Sequence, residues 1–265
     1  MCGDKNATFL CLSTCGISCV PHIAFMNPND PLVFDFVDHA GSMAAIHVYA
    51  KDNGYNVVLK PLRGTGGNDV IHARNGKELE AAVLHLFSKD YALSISPYID
   101  IEDEFRLVVL QGTVRLVYKK MRFSVIGDGV KSVQHLVGDL LAGGPQPDLV
   151  KGISRLGKKD LCFVPPKGAM FPIEWRHNLG KGAVPQIFYS LDDPVLHASL
   201  VALATQAVSA LNISFCSVDI IKTASHSLKV LEVNSGVMMD SFIQHDRAIV
   251  KQIYTDAIRV ALVDN

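Results

Sequence analysis

Apolar positions along this chain recur with two periods, and the two divide it into elements. Spacings of three and four residues, the mark of a helix with one buried face, group Leu79, Ala82, Val83, Leu86 and Phe87 and predict a helix over 77–89. The same spacing aligns Leu196, Leu200, Leu203, Ala207 and Leu211 over 194–211, and Ile249, Ile253, Ala257 and Leu262 over 246–263. Further helices are expected from Asp4-Lys5 to a C-capping Gly16, over 35–53 up to Gly54, and over 132–141. Apolar runs predict strands over 56–61, 93–99, 105–110 and 114–121, the last two joined at Gln111-Gly112 as a hairpin, with 17–25 extended. No internal repeat or low-complexity tract interrupts this α+β order.

The stretch 215–237, FCSVDIIKTASHSLKVLEVNSGV, reads as two buried strands around a polar turn, yet it carries Asp219, Glu232 and Asn234 inside its apolar runs. Burying an unpaired carboxylate costs several kcal/mol, so such groups are paired, hydrogen-bonded or bound to a metal. Glu232 and Asn234 are two apart and share a strand face. With Asp219 from the neighbouring strand they make an all-oxygen set suited to Mg²⁺, and no basic partner is evident in the pattern. A purely structural polar cluster is the alternative.

Two other features bear on the same chemistry. Lys60 ends a buried strand and runs into the glycine-rich loop 63–69, whose backbone N–H groups can wrap phosphate oxygens. The GxxxxGK[ST] order of a P-loop is absent. Arg176 and Asn178 stand beside Gly180 and Gly182, and a guanidinium suits a developing negative charge on oxygen. Lys119 and Lys120 alternate on a strand, so one faces inward; the pattern does not select which. Most histidines, His72 and His177 near the site included, are expected to be solvated or hydrogen-bonded in place.

Bulk composition narrows the partners. A net charge of −1 gives no basic field to draw the chain to nucleic acid or an anionic membrane. With 49% hydrophobic residues the core can be large. Six cysteines form no CxxC pair; Cys11, Cys15 and Cys19, four apart, are expected to stack on one helix face as small core residues in a reducing compartment. The apolar run 7–26 is broken by Gly16, Pro21 and His22 and lacks a basic start, so it is not expected to act as a targeting signal. No charge-free apolar stretch of membrane-spanning length is expected, and a cytoplasmic protein follows.

The order of these features resembles the ATP-grasp superfamily. Asp4-Lys5 looks like the family's opening DK, 15–21 (CGISCVP) is similar to its GIPVP stretch, and 57–61 (VVLKP) resembles its VVKP, whose lysine contacts ATP phosphates. Ser96-Pro97-Tyr98-Ile99 occupies the hinge, Glu104-Phe105-Arg106 resembles the E-Y/F-R with its glutamate on ribose, and Asp219, Glu232 and Asn234 match the metal-binding D…ExN. Within the superfamily, 124–133 (SVIGDGVKSV) and 164–182 resemble the VVGDGxxTV and VP…G…R…NLSTGG of cyanophycin synthetase and bifunctional glutathione synthetases.

The resemblance implies an ATP-grasp fold of two α/β subdomains whose antiparallel sheets clasp ATP: a small one over 1–95 with the phosphate loop, and a large one over 96–265 with hinge, metal site and substrate loops. It implies ATP and Mg²⁺, with Mn²⁺ as a substitute. Lys5, Lys60, Gly64, Thr65, Gly66, Gly67, Ser96, Tyr98, Ile99 and Glu104 would bind nucleotide. Asp219, Glu232 and Asn234 would hold the metal, and Arg176 and Asn178 would be catalytic. The activity implied is ADP-forming ligation of a carboxylate to an amine, through an acylphosphate, on amino acids or short peptides. The alternatives are a small-molecule kinase and a non-catalytic ATP-binding regulatory subunit. Relatives carry a further α/β domain before the DK point, which implies a smaller substrate site, a homodimer or partner chain supplying the wall, or a fragment of a longer gene. Two more departures stand out: Ser96-Pro97 replaces a common hinge glutamate, and Lys181 sits where relatives have Ser or Thr.

Overall fold

The computed structural model describes residues 2–28, 30, 41–64, 66–89, 92–143, 153 and 156–263. A four-stranded and a five-stranded sheet, both antiparallel, face each other across a cleft. The smaller has the order β1-β4-β2-β3, from β1 (Ile23–Met26), β2 (Val57–Pro61), β3 (Ile71–Ala73) and β4 (Ala92–Pro97). Helices α2 (Met43–Asp52) and α3 (Gly76–Phe87) cover its outer face. There Ile46, Val57, Leu59, Leu79, Val83 and Ile95 form one core. Alternation along β2 then turns Val58 and Lys60 to the cleft.

The larger sheet comprises β5 (Ile101–Leu110), β6 (Thr113–Met121), β9 (Val184–Ile187), β10 (Phe215–Thr223) and β11 (Leu228–Asn234), in the order β11-β10-β5-β6-β9. β5 and β6 turn at Gln111 and Gly112, both with positive φ (49° and 70°), which fits the right-handed twist of a two-residue hairpin. The strands β7 (Ser124–Ile126) and β8 (Met170–Pro172) form a separate pair against α4 (Val133–Ala142), with the short helix α5 (Lys158–Cys162) beside it. The short strands β3, β7, β8 and β9 are too brief for a periodicity to reveal.

One face of the large sheet packs on α1 (Lys5–Thr14) and α6 (Pro194–Leu211): Leu12, Phe105, Leu107, Leu200, Val218 and Val233 share that core. The other face is divided. At one end Val108, Tyr118 and Phe242 pack beneath α7 (Asp240–Ile243) and α8 (Arg247–Val263). At the other end polar side chains line the cleft.

Two expectations change. The 95/96 division falls inside β4, and α1 packs with the large sheet, where the Val20 N–H donates to the Val230 carbonyl and the Val230 N–H to the Ser18 carbonyl. α1 ends at Thr14, so Cys15 and Cys19 leave the helix face; Cys216 alone of the six cysteines is buried. α6 is an 18-residue helix without Asp, Glu, Lys or Arg, long and apolar enough to cross a membrane by length and composition. Length and composition alone do not make it a clear membrane span, because the core helix of a globular fold passes the same test. In this fold one face of it buries Leu200, Ala204, Ala207 and Val208 on the sheet. The first part of the helix expected over 35–53 lies outside the described residues; the rest is α2.

Candidate active site

The cleft between the sheets has a volume of about 360 Å³, and every described residue expected to bind nucleotide, metal or the reacting groups lines it. Thr65 lies outside the described residues.

Its floor is a buried network of charges. Asp219 of β10 and Arg106 of β5 are direct cross-strand partners. Arg106 donates from Nε to Oδ1 at 2.7 Å and from Nη2 to Oδ2 at 2.8 Å. Lys120 Nζ sits 2.8 Å from Asp219 Oδ2 and donates to Glu104 Oε1 at 2.5 Å. The expectation that Asp219 has no basic partner is therefore corrected: it has two. Burial would raise its carboxyl pKa, but the adjacent Arg106 and Lys120 outweigh that and hold it well below the usual range. Burial likewise works against the Lys120 ammonium, and Asp219 and Glu104 together raise it.

The strand pattern resolves which lysine points inward. Lys120 is 3% exposed and faces the cleft, whereas Lys119 pairs with Asp103 at 2.5 Å on the opposite face. A lone sequence offers no signal for this choice, because the adjacent lysines are equivalent until the sheet's faces are assigned.

On β11 a bulge shapes the metal side. Asp219 pairs with Glu232 but Ile220 with Val230, which leaves Leu231 as the extra residue. Val230 and Val233 thus both reach the core while Glu232 and Asn234 line the cleft. Among the described residues, Glu232 is held only by Lys5, at 3.6 Å. Lys5 in turn donates to the carbonyls of Leu62 and Gly64 at 3.4 and 3.1 Å, tying α1 to the glycine-rich loop.

Among the described residues no group of three or more His, Cys, Asp and Glu is placed to hold a metal ion. The oxygen donors of Glu232 and Asn234 nonetheless suit a hard cation, since among the described residues neither is committed to a strong internal partner. Asp219 has used three of about four lone-pair positions and retains one, on Oδ1. These three residues fit an oxygen-ligated divalent ion, with Asp219 as the most constrained.

Lys60 is 8% exposed, and its ammonium makes no ion pair or hydrogen bond among the described residues. Burial pushes its pKa down to about 8, with Glu232 opposing the fall and Lys5 adding to it. A buried ammonium with carboxylates nearby but in no ion pair among the described residues, beside a glycine loop, is a place for an anion.

Gly66 and Gly67, both with positive φ, carry the loop back over the cleft. Arg176 Nη1 donates to the Gly67 carbonyl at 3.0 Å, and Lys181 Nζ donates to Asn68 Oδ1 at 3.0 Å. Asn178 packs so close to Gly67 that a Cβ there would meet its Nδ2 at 2.5 Å. Lys181, a departure noted in the sequence, is thus a loop contact. Arg176 is itself held in a fork by Glu174, at 3.0 Å from Nε and 2.8 Å from Nη2. Glu174 is 3% exposed and was not singled out in the sequence, where Glu-Trp-Arg in a proline-rich stretch carries no period.

At the hinge, the Tyr98 N–H is spent on the Asn56 carbonyl at 2.9 Å. The Tyr98 ring stacks on His72 at 4.0 Å, with Trp175 tilted against both. His72 also bonds Asn56 Oδ1 at 2.6 Å, in keeping with its expected structural role.

Among solved structures, D-alanine–D-alanine ligase from Bacillus anthracis matches 100% of this chain and 70% of its own length, with a TM-score of 0.60 and 14% identity. The chain has the ATP-grasp fold. The same ligase complexed with ATP gives a TM-score of 0.58 at 14% identity, over 100% of this chain and 68% of that one. VanG D-Ala:D-Ser ligase from Enterococcus faecalis gives 0.52 at 16% identity, over 88% and 52%. By sequence, cyanophycin synthetase from Nostoc sp. (strain PCC 7120) is 25% identical over 89% of this chain. The chain spans about a quarter of the curated relatives it matches, 26% of their length. No family model matches it.

Proposed function

We propose that this ATP-grasp chain is a Mg·ATP-dependent carboxylate–amine ligase, forming an amide bond through an acylphosphate on amino acids or short peptides. The observation that carries the reading is the unpaired, buried Lys60 ammonium facing the Glu232 and Asn234 oxygens across one cleft. A cation on one wall and oxygen ligands on the other are what a metal–polyphosphate complex needs.

In this reading Lys60, Lys5 and the backbone of Gly64, Gly66 and Gly67 bind the phosphates, and the hinge at Ser96, Tyr98 and Ile99 receives the base. With the Tyr98 N–H already spent, the base relies on neighbouring backbone groups. Glu104 receives the ribose. Glu232 and Asn234, with the remaining lone pair of Asp219, would hold Mg²⁺ or Mn²⁺. The bound cation would neutralise charge on the transferring phosphate. Arg176, oriented by Glu174, and Asn178 stabilise oxygen-centred charge on the acylphosphate and on its adduct with the amine. The glycine loop, docked on Arg176 and Lys181, excludes water that would hydrolyse the activated acid.

The test is ADP release with Mg·ATP over amino acids and short peptides, singly and in pairs, repeated with Glu232→Gln. Turnover that needs both an acid and an amine, and is lost in the variant, is the expected result. Phosphate transfer to a single hydroxyl substrate would make the chain a kinase, and nucleotide binding without turnover would make it a regulatory subunit.

A further inference from the structure

The bulge on β11 decides which side chains the cleft receives. Val230 and Val233 both reach the core, and strict alternation from Val230 would put Glu232 on the core face as well. The extra residue, Leu231, shifts the pattern by one, so Glu232 and Asn234 line the cleft instead. A bulge leaves its extra residue outside the ladder, and the Leu231 carbonyl has to be satisfied elsewhere.

Its partner is His22, whose Nε2 lies 3.2 Å from the Leu231 oxygen. A carbonyl can only accept, so Nε2 carries the proton and donates. The residues before His22 already run along the outer edge of β11: the Val20 N–H donates to the Val230 carbonyl at 2.8 Å, and the Val230 N–H to the Ser18 carbonyl at 2.9 Å. The imidazole adds the next rung where the bulge breaks the strand. From α1, Asn6 Nδ2 donates to the His22 carbonyl at 2.7 Å, while the adjacent Lys5 meets the Glu232 carboxylate at 3.6 Å.

His22 is 3% exposed and lies behind the cleft wall rather than in it. Burial, with Lys60 and Lys5 near, holds the ring well below its usual pKa, so it is neutral at pH 7 and has one N–H to place. Spending that N–H on Leu231 leaves Nδ1 buried without a partner among the described residues. An apolar side chain would fill the same space and leave no such atom. What the imidazole supplies in its place is the donor at Nε2.

We propose that His22 is a positioning residue for the metal: through Nε2 it pins the Leu231 bulge and so holds the Glu232 and Asn234 oxygens where a divalent cation can take them up. The proposal rests on the metal reading given above. It adds a residue that touches neither metal nor nucleotide.

Mn²⁺ binding in the presence of ADP, followed by electron paramagnetic resonance, tests it. His22→Leu fills the space without a donor, and His22→Gln carries an amide N–H to about the position of Nε2. His22→Leu is expected to weaken Mn²⁺ binding about tenfold, the effect of losing an outer partner of a metal ligand, and to leave ADP affinity in EDTA within about twofold of wild type. His22→Gln is expected to recover most of the Mn²⁺ affinity. A His22→Leu variant with a cooperative melting transition and wild-type Mn²⁺ affinity overturns the proposal. So does a His22→Gln variant no better than His22→Leu, and so do equal losses of Mn²⁺ and metal-free ADP affinity, which mark a wall disturbed as a whole. Nitrogen-15 NMR of the wild-type chain needs no variant to fold: His22 is expected as the Nε2–H tautomer. A ring protonated at Nδ1 overturns the proposal, because a bare Nε2 cannot hold a carbonyl. In each of these cases the ligase reading stands. Wild-type chain that binds ADP but no Mn²⁺ overturns the metal reading, and this proposal with it.

Discussion

Arg106 and Asp219 face each other across neighbouring strands and close a two-bond fork, with Lys120 as a third donor. The carboxylate that looked like a free metal ligand is also what makes two buried cations tolerable. Removing one partner from such a pair strands the other charge, at about 3–5 kcal/mol. Arg106→Gln should therefore lower stability by about that amount in denaturant titration, and far more than Lys119→Gln, which breaks a pair on the other face of the sheet. Equal effects would mean that the network is not a structural unit.

Lys60 gives a pH dependence with a defined sign. Its folded pKa, about 8, lies below the usual lysine value of 10.5 because burial penalises the charged form. Between these values the unfolded chain binds the proton and the folded chain does not, so this group makes stability rise with pH across that window. Anion binding runs the other way, because it needs the protonated ammonium. ADP affinity should fall as pH rises through 8 in the wild-type chain. Lys60→Met should bind ADP at least tenfold more weakly and lose that inflection. An inflection that survives in the variant would assign it to another group.

Much of this site was legible in the sequence because it depends on order along the chain. Lys60 before a glycine loop and Glu232-x-Asn234 on one strand are local patterns, and the fold brings them to one cleft. What was not legible depends on pairing between distant strands. Arg106 meets Asp219 across 113 residues, and Lys120 is selected over Lys119 only once β6 is assigned its faces. Helix α6 and the hairpin at Gln111-Gly112 followed from period and turn chemistry, whereas strands of three or four residues left no period to read.

Glu232 separates metal binding from nucleotide binding. It is held by a single 3.6 Å contact to Lys5, so Glu232→Gln should leave the melting transition within about 1 kcal/mol of wild type. Mn²⁺ binding in the presence of ADP, followed by electron paramagnetic resonance, should weaken at least tenfold. Metal-free ADP should bind no worse, since the variant removes a negative charge near Lys60 and Lys5. A loss of ADP affinity in EDTA equal to the loss of Mn²⁺ affinity would place Glu232 on the nucleotide instead.

Gly67 tests the docked loop. Its φ of +66° is strained for any residue with a Cβ, and that Cβ would meet Asn178 Nδ2 at 2.5 Å and Cγ at 2.8 Å. The left-handed backbone alone costs an alanine about 1–2 kcal/mol, and undocking the loop avoids both that strain and the clash. Gly67→Ala should therefore keep the fold, lose the Arg176 contact to the Gly67 carbonyl, and expose the cleft to water. The expected signature is a KM for ATP raised about tenfold together with faster ATP hydrolysis uncoupled from amide formation. Lys181→Ser supplies the comparison. It removes one exposed bond to Asn68 and leaves Arg176 and Asn178 in place, so KM should shift by about twofold at most. A coupled, wild-type turnover in Gly67→Ala would show that the loop need not dock for the reaction to proceed.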